Sequence, residues 1–145
     1  MSYQFGNTSL ERLETCDQDL IYIMDYAIRY SPIDFGIAEG HRSKERQKEL
    51  FDEGKSRIDG VTKMGKHNFN PSLAADIYAW VNGKASWDRD HLNVIAGVII
   101  AVSEMLFDDG VTTHRLRWGG NWDGDGEVIS DQSFMDLPHF ELIEA

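Results

Sequence analysis

Asp76 interrupts an apolar run, Leu73-Ala74-Ala75-Asp76-Ile77-Tyr78, that reads as a buried strand from Leu73 to Val81. An ionised carboxylate is expensive to bury unless it is paired or bound to a metal. Any fold for this chain must therefore bring a partner to that strand. Two histidines are candidates. His67 lies upstream in a long loop, and His139 lies between Pro138 and Phe140 at the start of another strand. A catalytic zinc takes three ligands of these types and leaves a fourth position for water. Each residue also has a commoner use. A lone His is usually hydrogen-bonded or at the surface, and an Asp in a strand can pair with an Arg. Spacing alone leaves the two readings open.

Two further residues fit hydrolytic chemistry. Asp136 stands three residues before His139. A carboxylate there could take a proton from an attacking water and return it to a leaving amine. Arg42 follows Gly40 at the end of a strand, where a guanidinium could stabilise an oxyanion. The bland alternatives are an ordinary loop Asp and a surface salt bridge.

Hydrophobic spacing supplies the scaffold. Thr8-Ser9-Leu10-Glu11 reads as a capping box for a helix from Ser9 to Arg29, with Asp17 as a point of interruption and Ser31-Pro32 as its end. Phe35 to Glu39 reads as a strand. Ser43 caps a helix ending near Gly54, and Lys55 to Pro71 is a loop long enough to be functional. Asn82-Gly83 signals a hairpin turn. Asp88 or Ser86 caps a helix from Arg89 to Phe107. Arg115 to Trp118 and Phe140 to Ile143 read as the last strands. The order predicts a single α+β domain, 1–145, with a small, mostly antiparallel sheet flanked by helices.

The chain has 145 residues, a formal net charge of -11 and one cysteine, Cys16. The acidic balance argues against nucleic acid and against attraction to an anionic membrane. A lone cysteine excludes an internal disulfide and points to a reducing compartment. Cys16 itself reads as a packing residue. Met1 to Leu10 lacks the basic-then-apolar run of a signal peptide. Leu92 to Phe107, interrupted by Asn93, Ser103 and Glu104, reads as too short and too polar to span a bilayer, so no membrane insertion is expected.

Taken together, these pieces resemble phage L-alanyl-D-glutamate peptidases. The resemblance rests on Ser31-Pro32-Ile33-Asp34-Phe35, then Glu39-Gly40-His41-Arg42-Ser43 with Gln47, then His67 with Ala74-Ala75-Asp76. Trp118-Gly119-Gly120 and Asp136-Leu137-Pro138-His139-Phe140-Glu141 complete it. The wider family includes D-alanyl-D-alanine carboxypeptidases and dipeptidases, and it shares its fold with the hedgehog signalling domain. The resemblance implies Zn2+ bound by His67, Asp76 and His139, with Asp136 as base and Arg42 polarising the substrate carbonyl. It also implies peptidoglycan as substrate, and an endolysin held in the host cytoplasm until a holin opens the way to the cell wall. No separate wall-binding domain is expected, and the chain is expected to act as a monomer. Two departures concern the loop. Gly65 stands where the commoner motif has Ser, and Asn68 to Pro71 lengthen the usual His-to-Asp spacing.

A second ion site is suggested by Asn121-Trp122-Asp123-Gly124-Asp125-Gly126, the first half of a calcium loop with ligands at Asn121, Asp123 and Asp125. The closing Glu is replaced by Gln132 beside Asp131, so an acidic turn is the competing reading. The pattern alone favours the acidic turn, and the calcium regulation of some related endolysins brings Ca2+ level with it. Two functional alternatives stand beside the endopeptidase: a D,D-carboxypeptidase or dipeptidase acting on D-Ala-D-Ala, and a non-catalytic wall-binding protein of the same fold.

Overall fold

The computed structural model describes residues 2–126 and 135–145. The elements run α1 (Asn7–Leu13), α2 (Gln18–Tyr30), β1 (Asp34–Glu39), α3 (Lys44–Asp52), a 3-10 turn (Lys66–Asn68), β2 (Ala74–Val81), β3 (Lys84–Ser86), α4 (Arg89–Asp108), β4 (His114–Gly119) and β5 (Asp136–Glu144). The strands form one antiparallel sheet in the order β1-β2-β5-β4, with β3 also paired to β2. This is the α+β architecture that the sequence predicts.

Side chains alternate across β2, and that alternation separates core from site. Ala75, Ile77 and Ala79 are buried with Phe35 and Ile37 of β1 and Phe140 and Leu142 of β5. Leu20, Ile23, Met24 and Ala27 of α2 and Leu92, Ile95, Ile99 and Val102 of α4 belong to the same core. Asp76 alternates with these residues and so projects from the opposite face. Burial of each large aliphatic side chain contributes roughly 1.5–3 kcal/mol, which anchors the strands that carry the polar face.

The predicted N-terminal helix is two helices. Asp17 accepts a hydrogen bond from the Asp19 amide at 2.9 Å and caps α2. The break has a tertiary cause. The amide of Asp17 donates to the Ser72 carbonyl and the amide of Ser72 donates to the Thr15 carbonyl, both at 2.8 Å. Those backbone groups are committed to the entry of β2 and cannot continue a helix. The Thr8–Glu11 capping box does not form either. Gly6 is the N-cap of α1, and the Ser9 hydroxyl instead accepts from the Ile37 amide at 3.0 Å.

The remaining signals are read more directly. Ser43 caps α3 through the Arg46 amide, and Asp88 caps α4 through the Asp90 amide. Asn82 and Gly83 both have positive φ, as a tight hairpin turn requires. Cys16 is buried, and burial pushes its thiol pKa up to about 11, as for a packing residue. One expectation fails on length and composition. Helix α4 has 20 residues and is long and apolar enough to cross a membrane by those measures. Its apolar stripe, however, packs into the core beside α2 and the sheet.

Candidate active site

Two strands, one turn and the segment after β1 bring the predicted residues together. In the sheet register Asp76 of β2 stands opposite His139 of β5 on one side and Glu39 of β1 on the other. His67 comes from the 3-10 turn. That turn is tied to the segment after β1 by three bonds. His67 Nδ1 meets the Gly40 carbonyl at 2.7 Å, the Arg42 amide donates to the His67 carbonyl at 2.7 Å, and Asn68 Nδ2 donates to the Arg42 carbonyl at 3.0 Å. Gly40 must be Gly, since a Cβ there would strike Thr15 Oγ1 and the Arg12 carbonyl. The lengthened loop is thus built into the site. Asn68 also accepts from the Gly65 amide at 2.8 Å, which closes the turn at the position where the commoner motif has Ser.

His67 Nε2 and His139 Nδ1 each lie 3.1 Å from Asp76 Oδ1. The outer nitrogens settle the tautomers. His67 Nδ1 faces a carbonyl, and His139 Nε2 faces Glu141 Oε1 at 2.8 Å. Both partners only accept, so both outer nitrogens carry protons. The neutral rings therefore aim two lone pairs at a carboxylate oxygen. Such a cluster requires a cation, either ring protons or a metal. Two His nitrogens and one carboxylate oxygen within 4.8 Å of one another form a donor set of the catalytic zinc type. Among the described residues a second cluster, Asp17, Asp19 and His114, also fits within that distance. There Asp19 already accepts from His114 Nδ1 and from the amides of Thr113 and His114, which ties α2 to β4.

The ionisation of the cluster follows from its contacts. Burial pushes Asp76 towards the neutral acid, but the charges and hydrogen bonds of His67 and His139 outweigh it and hold the pKa well below the usual carboxylate range. Burial likewise lowers His139, and its bonds to Asp76 and Glu141 overcome that, so its pKa is pushed up to about 9. These are the two sides of one attraction, with a proton on the ring where the donor set accommodates a metal.

Asp136 is the first residue of β5, which begins before the predicted Phe140. The register shows why. Trp118 of β4 pairs with Phe140, yet the next residue, Gly119, pairs with Asp136. Leu137, Pro138 and His139 are passed over in the pairing with β4, although His139 still pairs with Asp76 of β2, and Pro138 offers no amide to the ladder. A Cβ on Gly119 would strike the Asp136 carbonyl, and one on Gly120 would strike the Trp118 indole. Trp118 Nε1 donates to the Leu137 carbonyl at 2.8 Å. The Trp118-Gly119-Gly120 motif is therefore the seat on which Asp136 and His139 are held. Burial raises the Asp136 pKa, and the Asp76 charge raises it further, against the opposing pull of His139, His67 and Arg42.

Arg42 is held as well as placed. Its Nε and Nη2 reach Glu39 at 2.6 and 2.9 Å in a two-pronged contact, Nη1 reaches Gln47 Oε1 at 2.9 Å, and Nη2 lies 3.7 Å from Asp76 Oδ2. All five residues, Arg42, His67, Asp76, Asp136 and His139, line one cavity of about 600 Å³.

Sequence reasoning gave no role to Glu39, Gln47, Glu141, Arg117 or Trp122. Glu141 is buried and accepts from both His139 and Arg117, the latter at 2.7 Å. Its position two residues after His139 on one strand face was the available signal. The Trp122 ring stands 5.5 Å from that of His139. In the second predicted ion site, Asn121 Nδ2 donates to the Asp125 carbonyl at 2.8 Å and the Asp125 amide donates to Asp123 at 3.2 Å. Asp123 and Asp125 are exposed, and Asn121 Oδ1 is buried with no hydrogen-bond partner. The other members of that prediction, Asp131 and Gln132, lie outside the described residues.

Comparison with known proteins places the chain in a family. The chain is 27% identical over 145 residues to the L-alanyl-D-glutamate peptidase of Escherichia phage T5, covering 99% of this chain and 100% of that one. Among solved structures it is similar to the L-Ala D-Glu endopeptidase ChiX of Serratia marcescens. The TM-score is 0.75 and the identity 27%, over 97% of this chain and 90% of the other. The phage L-alanyl-D-glutamate peptidase family model matches residues 1–143. The chain belongs to the phage L-alanyl-D-glutamate peptidase family.

Proposed function

We propose that this chain is a zinc-dependent peptidoglycan endopeptidase that hydrolyses the bond between L-Ala and D-Glu of the wall peptide. The observation that carries the reading is the convergence of His67 Nε2, Asp76 Oδ1 and His139 Nδ1, with both outer ring nitrogens fixed by acceptors. A zinc ion held there supplies Lewis acidity and lowers the pKa of a water. Glu141 and the Gly40 carbonyl orient the ligand rings. Asp136 takes the proton of the attacking water and returns it to the leaving amine of glutamate. Its raised pKa suits both halves of that task. Arg42, fixed by Glu39 and Gln47, stabilises negative charge developing on the scissile oxygen.

Family membership supports host-cell lysis as the setting. In this reading the enzyme accumulates in the host cytoplasm, a holin gives it access to the wall, and it acts as a monomer. Calcium is the second ion of the reading. Asn121, Asp123 and Asp125 present oxygens in a Gly-rich loop that leads towards β5, and the unpartnered Asn121 Oδ1 favours a ligand role.

Mass spectrometry of peptidoglycan fragments, with and without a chelator, tests the reading. New amino termini at D-Glu, lost with chelator and restored by zinc, are expected. Release of D-Ala instead would assign the chain to the carboxypeptidase reading, and no release at all to the binding reading.

A further inference from the structure

The cavity around the site has the opposite charge balance to the rest of the molecule. The chain carries 14 Lys and Arg against 25 Asp and Glu. Seven of those cations line the cavity, but only four carboxylates do so among the described residues. Three of the four are engaged: Glu39 with Arg42, Glu141 with His139 and Arg117, and Asp76 with the two histidines. The fourth is Asp136. A protein with a net charge of -11 thus concentrates half of its cations on the walls of one groove.

Two of these cations are uncommitted. Lys63 and Lys66 make no ion pair among the described residues, whereas Arg46 is paired with Glu49 and Lys55 with Glu53. Their backbone is held in place. The Asp59 carboxylate accepts from the amides of Val61, Thr62 and Lys63 and from the Thr62 hydroxyl, and the Gly60 amide donates to the Lys63 carbonyl at 3.0 Å. Asp59 is thereby occupied within the turn and does not line the groove. Lys66 immediately precedes His67 in the 3-10 turn, and its carbonyl accepts from the Leu73 amide at 3.0 Å.

The chemistry of the proposed substrate supplies the complement. Glutamate has two side-by-side uses for its carboxyls. One carries the peptide onward, and the other stays free and ionised unless it is modified. If glutamate nitrogen is the leaving group, that free carboxylate sits only a few bonds from the scissile carbonyl and must enter the groove. We propose that Lys63 and Lys66 form a carboxylate-reading wall that selects wall peptides whose glutamate carboxyl is free over those in which it is amidated. This rests on the peptidase reading above and adds a substrate preference to it. Partly exposed ion pairs are individually weak, so the preference is a matter of binding and is screened by salt.

The test uses the zinc-loaded full chain and two synthetic wall peptides that differ only in a free carboxylate or a carboxamide on glutamate. Amidation is expected to raise KM about five- to tenfold at low ionic strength with little change in kcat, since each exposed pair is worth at most about fivefold. High salt should close the gap from the acid side. The double variant Lys63→Gln, Lys66→Gln should bring the KM of the acid peptide up to that of the amide while retaining zinc, and Lys63→Arg, Lys66→Arg should restore the difference. Equal KM values for the two peptides in the unmodified enzyme would overturn this inference alone. A gap that persists in the double glutamine variant would also overturn it, since another group would then be the reader. If neither peptide is cut, the peptidase reading falls and takes the inference with it.

Discussion

His139 donates its Nε2 proton to Glu141 across 2.8 Å, and that bond turns the opposite nitrogen towards Asp76. Glu141 is thus the group that sets the tautomer of His139, the proposed ligand, and Arg117 on its other oxygen keeps it ionised. Its pKa shows the same balance: burial raises it, and the bonds from His139 and Arg117 more than reverse the effect. Glu141→Ala is expected to weaken zinc binding by roughly ten- to a hundredfold, the usual cost of losing a group that orients a ligand. Competition with a calibrated chelator measures this. An unchanged zinc affinity would mean that His139 is oriented by other contacts.

Asp136 should behave as a base and not as a ligand. Asp136→Asn keeps the shape of the side chain and removes its proton affinity. Turnover is expected to fall roughly a hundredfold or more, with zinc content and thermal stability close to those of the parent. Loss of zinc in this variant would make Asp136 a ligand, and normal turnover would place the base elsewhere.

Arg42→Ala should lower kcat by roughly a hundredfold, as removal of an oxyanion donor does, and should raise KM less. The Glu39 contact bears on the design of this measurement, because the truncation leaves Glu39 without its two-pronged partner. Arg42→Ala should therefore be compared with Arg42→Ala, Glu39→Gln. A kcat defect common to both belongs to the reaction, whereas a defect relieved by the second substitution belongs to the unpaired carboxylate. A pure KM effect would recast Arg42 as an anchor for the acidic peptide.

Asp76 was conspicuous because β2 is otherwise apolar, but spacing alone left its partners open, and it was the family resemblance that joined it to His67 and His139. What surrounds those residues was less legible, for physical reasons. Glu141 looks in sequence like the polar half of an alternating strand, and only the fold shows that it is buried between His139 and Arg117. The break at Thr15 to Asp17 depends on Ser72, which is distant in sequence, so local helical spacing runs through it. Ser9 has the type and spacing of a cap but is used to receive β1 instead. The early start of β5 follows from Gly119 meeting Asp136 with Pro138 passed over in the pairing, and no local propensity signals that pairing.

The acidic loop allows a separate test. If Asn121, Asp123 and Asp125 hold calcium, isothermal titration of zinc-loaded protein should show binding with modest affinity, because the closing position is Gln132 in place of Glu. Asp123→Ala should abolish that heat and make wall lysis insensitive to added calcium. No binding heat at millimolar calcium, together with normal lysis by Asp123→Ala, would reduce the segment to an acidic turn.

The proposed metal centre is made by three side chains, His67, Asp76 and His139. Zinc content of the purified chain and of His139→Ala, measured by atomic emission alongside peptidoglycan hydrolysis, examines it most directly. About one zinc per chain is expected for the parent, as for a three-ligand catalytic site, and His139→Ala should lose the metal and the activity together. Full zinc retention by His139→Ala, or hydrolysis that proceeds unchanged without zinc, would contradict it.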